Sequence, residues 1–107
     1  MEHRWGQRIA ARQPLTVKSG RDIVVMGILM NASLSGAYVA TSAPVKRDQR
    51  VDLQLGSALE TRLSGFIVRA DEWGVGLEWE EFASDAVQAL LLTIALRTWA
   101  PLYAPTS

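Results

Sequence analysis

Short strand-like runs, some apolar throughout and some strictly alternating, fill most of the chain from Pro14 to about position 80, and the period then changes. Val51-Asp52-Leu53-Gln54-Leu55 alternates strictly, as a strand with one buried face must. Ala58-Leu59-Glu60-Thr61-Arg62-Leu63 alternates again, and the pattern predicts one long strand over 58–70, bent at Ser64-Gly65. Upstream, Pro14 opens a strand over Leu15–Lys18, and Ser19-Gly20-Arg21-Asp22 reads as a turn. Ile23–Met30 is a long β-branched and apolar run in which Gly27 marks a bulge. Ala37–Thr41 is the next strand, Ala43-Pro44 breaks the pattern, and 45–50 is a charged connector. Gly56-Ser57 and Asp71-Glu72 are turns, and Trp73–Trp79 is the last strand, with glycines at 74 and 76 that let a neighbouring backbone approach. About six closely spaced strands without intervening helices predict a small antiparallel barrel or sandwich. The barrel is favoured because closure leaves no long unpaired edge.

After Ser84 the period becomes helical. Ser84 is an N-cap, Asp85 suits the first turn, and the helix runs from Ala86 to about Trp99, where Pro101 stops it. Val87, Leu90, Leu91 and Ile94 form one apolar stripe, which packs on the barrel. Leu92, Leu96 and Trp99 form a second on the far side, covered by the tail at Leu102-Tyr103 or offered to a partner, including a second copy of the chain.

With 107 residues, 49% hydrophobic and 21% charged, the chain is one globular domain. Eleven bases balance eleven acids, which argues against a surface built to grip nucleic acid or an anionic membrane. The balance is local, however. Residues 1–21 carry Arg4, Arg8, Arg12, Lys18 and Arg21 against Glu2 alone, so an anion site near the N-terminus is compatible with global neutrality. There is no cysteine, which excludes disulfides and thiolate metal sites. The first residues lack an apolar signal core, and the longest apolar run, Ala89–Leu96, is too short to span a bilayer; the expectation is a cytoplasmic protein without membrane insertion. The single histidine is His3, and no carboxylate pair, metal-ligand spacing or activated nucleophile stands out, so no catalytic residue, metal or cofactor is expected.

The chemistry gathers in Asn31-Ala32-Ser33-Leu34-Ser35-Gly36, an amide, two hydroxyls and a glycine in a turn between two apolar strands. Taken alone, such a turn need do no more than reverse the chain. About two dozen residues earlier stands Arg4-Trp5-Gly6-Gln7-Arg8, of the form RxxxR, and the turn itself has the form [D/N]xSxxG. In this order and before an all-β chain, the pair resembles the PilZ family of bacterial cyclic di-GMP receptors. Ile9–Val17 is similar to that family's lead-in, Gly74–Trp79 to its closing strand, and a C-terminal helix follows. The likeness spans essentially the whole chain, with Asn in place of the commoner Asp at the head of the second motif.

The resemblance implies a stand-alone domain over 1–107. It comprises a flexible ligand-clamping segment (1–13), a six-stranded antiparallel β-barrel (14–80) and a helix (84–100). It also implies that Arg4, Arg8, Asn31, Ser33 and Gly36 bind cyclic di-GMP. Physical chemistry supports these residue types. An arginine fork matches the O6 and N7 acceptors of a guanine, stacks on purines and pairs with phosphates. Asn31 can meet a guanine edge, Ser33 a phosphate or base, and Gly36 leaves room for close approach. Arg12 and Arg69 are lesser candidates, with a solvated surface role as the plainer reading. Ligand binding would order the N-terminal segment, at roughly 1–2 kcal/mol per backbone residue, and present a new surface to an unidentified protein effector. Trp5, between the clamp arginines, would move in the process. On this reading Ser33→Ala weakens binding and leaves the thermal midpoint of the free protein nearly unchanged. The alternative is a PilZ-like adaptor that binds no nucleotide and acts only through protein partners. A small barrel binding single-stranded nucleic acid is weaker, because the strands carry few bases.

Overall fold

The computed structural model describes residues 8–20, 23–55 and 61–103. Six strands, β1 (Ile9–Ser19), β2 (Ile23–Ala32), β3 (Gly36–Thr41), β4 (Arg50–Leu55), β5 (Thr61–Ala70) and β6 (Gly74–Trp79), are followed by one helix, α1 (Asp85–Tyr103). All strand pairs are antiparallel, and the sheet closes in the order β1-β2-β3-β6-β5-β4, with β4 back against β1. The protein is therefore a closed six-stranded β-barrel with a C-terminal helix, the favoured of the two architectures that the strand spacing allows and the one that the family resemblance implies.

Alternation turns one face of each strand inward. Leu15 and Val17 of β1, Leu29 of β2, Val39 of β3, Val51, Leu53 and Leu55 of β4, Leu63 and Ile67 of β5, and Val75 and Leu77 of β6 fill the interior. Helix α1 adds Val87, Leu90 and Ile94 to the same core. Those three belong to the first apolar stripe, while Leu92 and Leu96 of the second remain exposed. The Ser84 hydroxyl accepts from the Val87 amide at 3.2 Å, which makes it the N-cap. The Arg97 guanidinium donates to Gln13 at 2.8 Å and ties the far part of the helix to β1.

Several boundaries differ from the sequence pattern. β1 begins at Ile9, so residues 9–13, expected in the flexible segment, are already barrel. Pairing with β2 holds them, through Ile9↔Ala32 and Ala10↔Asn31, with a register shift before Gln13 that disguises the alternation. Pro14 pairs with Ile28 of β2, and among the described residues β1 meets β4 from Leu15 onward. Gly27 is not a bulge: it pairs in register with Leu15 and Thr41. The irregularity of β2 lies instead between Leu29 and Asn31, and that of β5 between Ile67 and Arg69 rather than at Ser64-Gly65. Helix α1 continues through Pro101 to Tyr103, where the loss of one amide donor is confined to the end of the element. The turns at Arg21-Asp22 and Gly56-Ser57, and the start of the 58–70 strand, lie outside the described residues.

Candidate functional site

The polar segment at 31–36 is shorter as a turn than its sequence suggests. Asn31 and Ala32 end β2, Gly36 opens β3, and only Ser33, Leu34 and Ser35 reverse the chain. Ser33 is fully buried. Its hydroxyl accepts from the amides of Ser35 and Gly36, each at 3.2 Å, and lies 3.1 Å from the Ser35 hydroxyl. Its amide donates to the Gly36 carbonyl at 2.8 Å. The indole of Trp79 donates to the Ser33 carbonyl at 2.8 Å, and the Ala83 amide donates to the Leu34 carbonyl at 3.0 Å. The turn is thus fastened to the end of β6 and to the lead-in of α1.

Gly36 has a separate reason to be glycine. A Cβ there would stand 2.1 Å from the Leu77 carbonyl oxygen, because β3 and β6 meet in register at Gly36↔Glu78. The close approach expected for a ligand is made by the protein's own backbone. Ser33 and Gly36 are both buried and shape the turn from behind.

What the turn positions is Asn31. The Arg8 guanidinium donates to its Oδ1 at 2.9 Å, bringing together two residues that stand 23 apart in sequence. Both line an open cleft of about 530 Å³ whose other walls are Ala37 and Tyr38 of β3, Val68 and Arg69 of β5, Gly76 of β6 and Asp71 of the β5–β6 turn. Three of the arginine and motif candidates, Arg8, Asn31 and Arg69, are thus gathered at one place. Arg12 is exposed within the irregular part of β1 and is not on this wall. Arg4 lies outside the described residues, as does Trp5.

Tyr38 and Asp71 have no counterpart among the sequence candidates. Tyr38 and Arg69 both pair with Gly76, one from each side of β6. A Cβ at Gly76 would meet the Arg69 side chain, with Nε at 3.3 Å and Cγ at 3.4 Å. The bare glycine lets Arg69 lie across β6 with its guanidinium 5.7 Å from the centre of the Tyr38 ring, within cation–π range. The Tyr38 hydroxyl donates to Asp71 Oδ1 at 2.8 Å, and the amides of Trp73 and Gly74 donate to the same oxygen at 2.8 and 2.9 Å. The Tyr38 hydrogen bond, with the Trp73 amide next, holds the Asp71 carboxyl below its ordinary value. Burial first, and then the bond to Asp71, push the Tyr38 phenol up. Asp71 is therefore an ionised, oriented carboxylate at neutral pH.

The arginines divide by occupation. Arg50 pairs with Asp52 at 3.2 Å and with Glu80 at 3.1 Å, and the Glu80 hydrogen bond, followed by the Asp52 charge, raises its pKa. Among the described residues neither Arg8 nor Arg69 has a carboxylate within 4 Å, although the Arg69 charge reaches Asp71 and helps to lower its pKa. A second cleft of about 370 Å³ near the start of α1 carries Glu80, Glu81 and Asp85 against Arg62, a poor setting for phosphate.

No family model and no curated protein matches the sequence. Among solved structures, the chain is similar to the PilZ domain of CeSA from a cellulose-synthesizing bacterium, at 25% identity and a TM-score of 0.75. The match covers 83% of this chain and 98% of that one. The fold is that of a PilZ domain. In this PilZ-type barrel the [D/N]xSxxG turn stands at the β2–β3 junction, beside the arginine that ends the RxxxR motif. Among the described residues no cluster of three His, Asp or Glu side chains could hold a metal ion, and no helix is long and apolar enough to cross a membrane.

Proposed function

We propose that this domain is a cyclic di-GMP receptor rather than an enzyme, and that the Arg8–Asn31–Arg69 cleft is its binding face. The observation that carries this reading is the 2.9 Å bond from Arg8 to Asn31, which joins the two halves of the motif pair on a single cleft. The PilZ fold supports it, since that family's resemblance brings the ligand with it. Arg8 and Arg69 supply guanidinium groups for guanine O6 and N7 and for phosphate oxygens. Arg4, on the same N-terminal segment, adds the second clamp cation. Asn31 meets a base edge, while Ser33 and Gly36 act by holding Asn31 at its place rather than by touching the ligand. Tyr38 supports Arg69 from below.

Signalling follows from the order of the chain. The segment that precedes β1 closes over the nucleotide, and the surface so formed is read by a protein effector in the cytoplasm. Leu92 and Leu96, 61% and 57% exposed on α1, offer an apolar contact for that effector or for a second copy of the chain. Isothermal titration with cyclic di-GMP tests the reading. Binding at micromolar affinity or better, abolished by Arg8→Ala, supports a receptor. No heat with the wild type would leave the adaptor alternative, a domain that acts only through protein contacts. Light scattering on the eluting protein, with and without nucleotide, reports whether the helix joins two copies.

A further inference from the structure

We propose that Asp71 accepts hydrogen bonds from the Watson–Crick edge of a guanine and makes the cleft select guanine over adenine. This rests on the cyclic dinucleotide reading above and adds a specificity-determining residue that lies in neither motif.

The cleft is lined by hydrogen-bond donors and acceptors of unequal charge. Arg8 and Arg69 only donate. The side-chain oxygen of Asn31 is uncharged and already takes one donor, from Arg8. The Tyr38 hydroxyl is spent as a donor to Asp71. The anionic acceptor on the wall is the Asp71 carboxylate, and it is exposed. Its Oδ1 takes three donors, from Tyr38, Trp73 and Gly74, which fix the plane of the group. Its Oδ2 has no hydrogen-bond partner among the described residues. An oriented carboxylate with one free oxygen is thus the negatively charged acceptor of a cleft whose cations, Arg8 and Arg69, only donate.

The ligand chemistry that fits such an oxygen is narrow. A phosphate is repelled by like charge. A guanine whose O6 and N7 are taken by arginine still has N1–H and N2–H2, two adjacent donors, on its other edge. An oxygen with two lone pairs can accept from both. Adenine presents a bare N1 acceptor there, so its lone pair would face that of Oδ2. Discrimination by an unmatched polar group is the strong kind, because the carboxylate loses solvent and gains no partner.

The test is isothermal titration of the full chain, wild type and Asp71→Asn, with cyclic di-GMP and cyclic di-AMP, alongside thermal melts of both proteins. Asparagine keeps an Oδ1 for Tyr38 and the two amides, so the turn survives, but it places an N–H2 where Oδ2 stood. The expected result is a loss of about tenfold or more in cyclic di-GMP affinity, a preference over cyclic di-AMP narrowed by a similar factor, and a melt close to wild type. An unchanged preference in a folded Asp71→Asn protein overturns the proposal. A second measurement needs no variant. Cyclic di-IMP keeps O6, N7 and N1–H but lacks the 2-amino group. Wild type should bind it several-fold more weakly than cyclic di-GMP, and equal affinity overturns the role of Asp71 while leaving the arginine reading intact. If the wild type binds no cyclic dinucleotide, both readings fall together, which separates that outcome from the other two.

Discussion

The Arg69 guanidinium stands 5.7 Å from the centre of the Tyr38 ring, reaching it across a glycine. Gly76 is the floor of that contact. A methyl group there presses on Arg69 Nε and Cγ, the middle of a flexible side chain, so the arginine gives way and the barrel does not. Gly76→Ala should therefore melt close to wild type yet bind cyclic di-GMP several-fold more weakly, matching Arg69→Ala. Gly36→Ala is the contrast. Its methyl group would fall 2.1 Å from a backbone oxygen of β6, and that ladder cannot yield. A thermal melt should show severe destabilisation or no folded protein.

Ser33→Ala should destabilise the free protein. The hydroxyl is fully buried and accepts from two amides, so its removal strands both donors at a cost of about 1–3 kcal/mol. For a domain of this size that lowers the thermal midpoint by several degrees, roughly 4–8 °C per kcal/mol. An unchanged midpoint, the outcome the sequence suggests for a surface ligand contact, would return Ser33 to the cleft.

How much of this is legible in the sequence differs from strand to strand and from residue to residue. Strict alternation at 51–55 reads directly as β4, and the change of period after Ser84 reads as α1, because each depends only on neighbours along the chain. The start of β1 does not, since the register shift between Ala10 and Gln13 breaks the alternation and the family resemblance assigns 1–13 to a flexible segment. Ser33 and Gly36 have the chemistry of ligand contacts, and no local pattern shows that both are also buried against β6 and build the turn. Tyr38 and Asp71 are 33 residues apart and meet only because β3 and β5 both flank β6. Strand order and register are long-range properties, and no local pattern in one sequence encodes them.

Stability should vary with pH at two ends through the Tyr38–Asp71 bond. Asp71 has a folded value below its ordinary 3.8, so its contribution is present above about pH 4 and is lost as pH falls through the lowered value. Tyr38 has a folded value above its ordinary 10.0, so its contribution is present below pH 10 and is lost as pH rises through the raised value. Urea unfolding of wild type and Tyr38→Phe across this range should give a constant difference between about pH 5 and 9 that shrinks at both extremes. A difference that persists unchanged at pH 3 would show that the bond is not the cause.

The Arg8–Asn31 bond should matter far more to the ligand than to the barrel. It is exposed, and water competes for both partners, so a double-mutant cycle of Arg8→Ala and Asn31→Ala on the free protein should give a coupling at or below about 1 kcal/mol. The same cycle read by nucleotide titration behaves differently if both side chains act on one base. Each single variant then loses most of the affinity, and the double variant loses little more than either alone. Residues that bound separate parts of the ligand would instead give losses that add. Additive losses would place Arg8 and Asn31 on different groups of the nucleotide, and the contact between them in the free protein would be a resting position rather than part of the clamp.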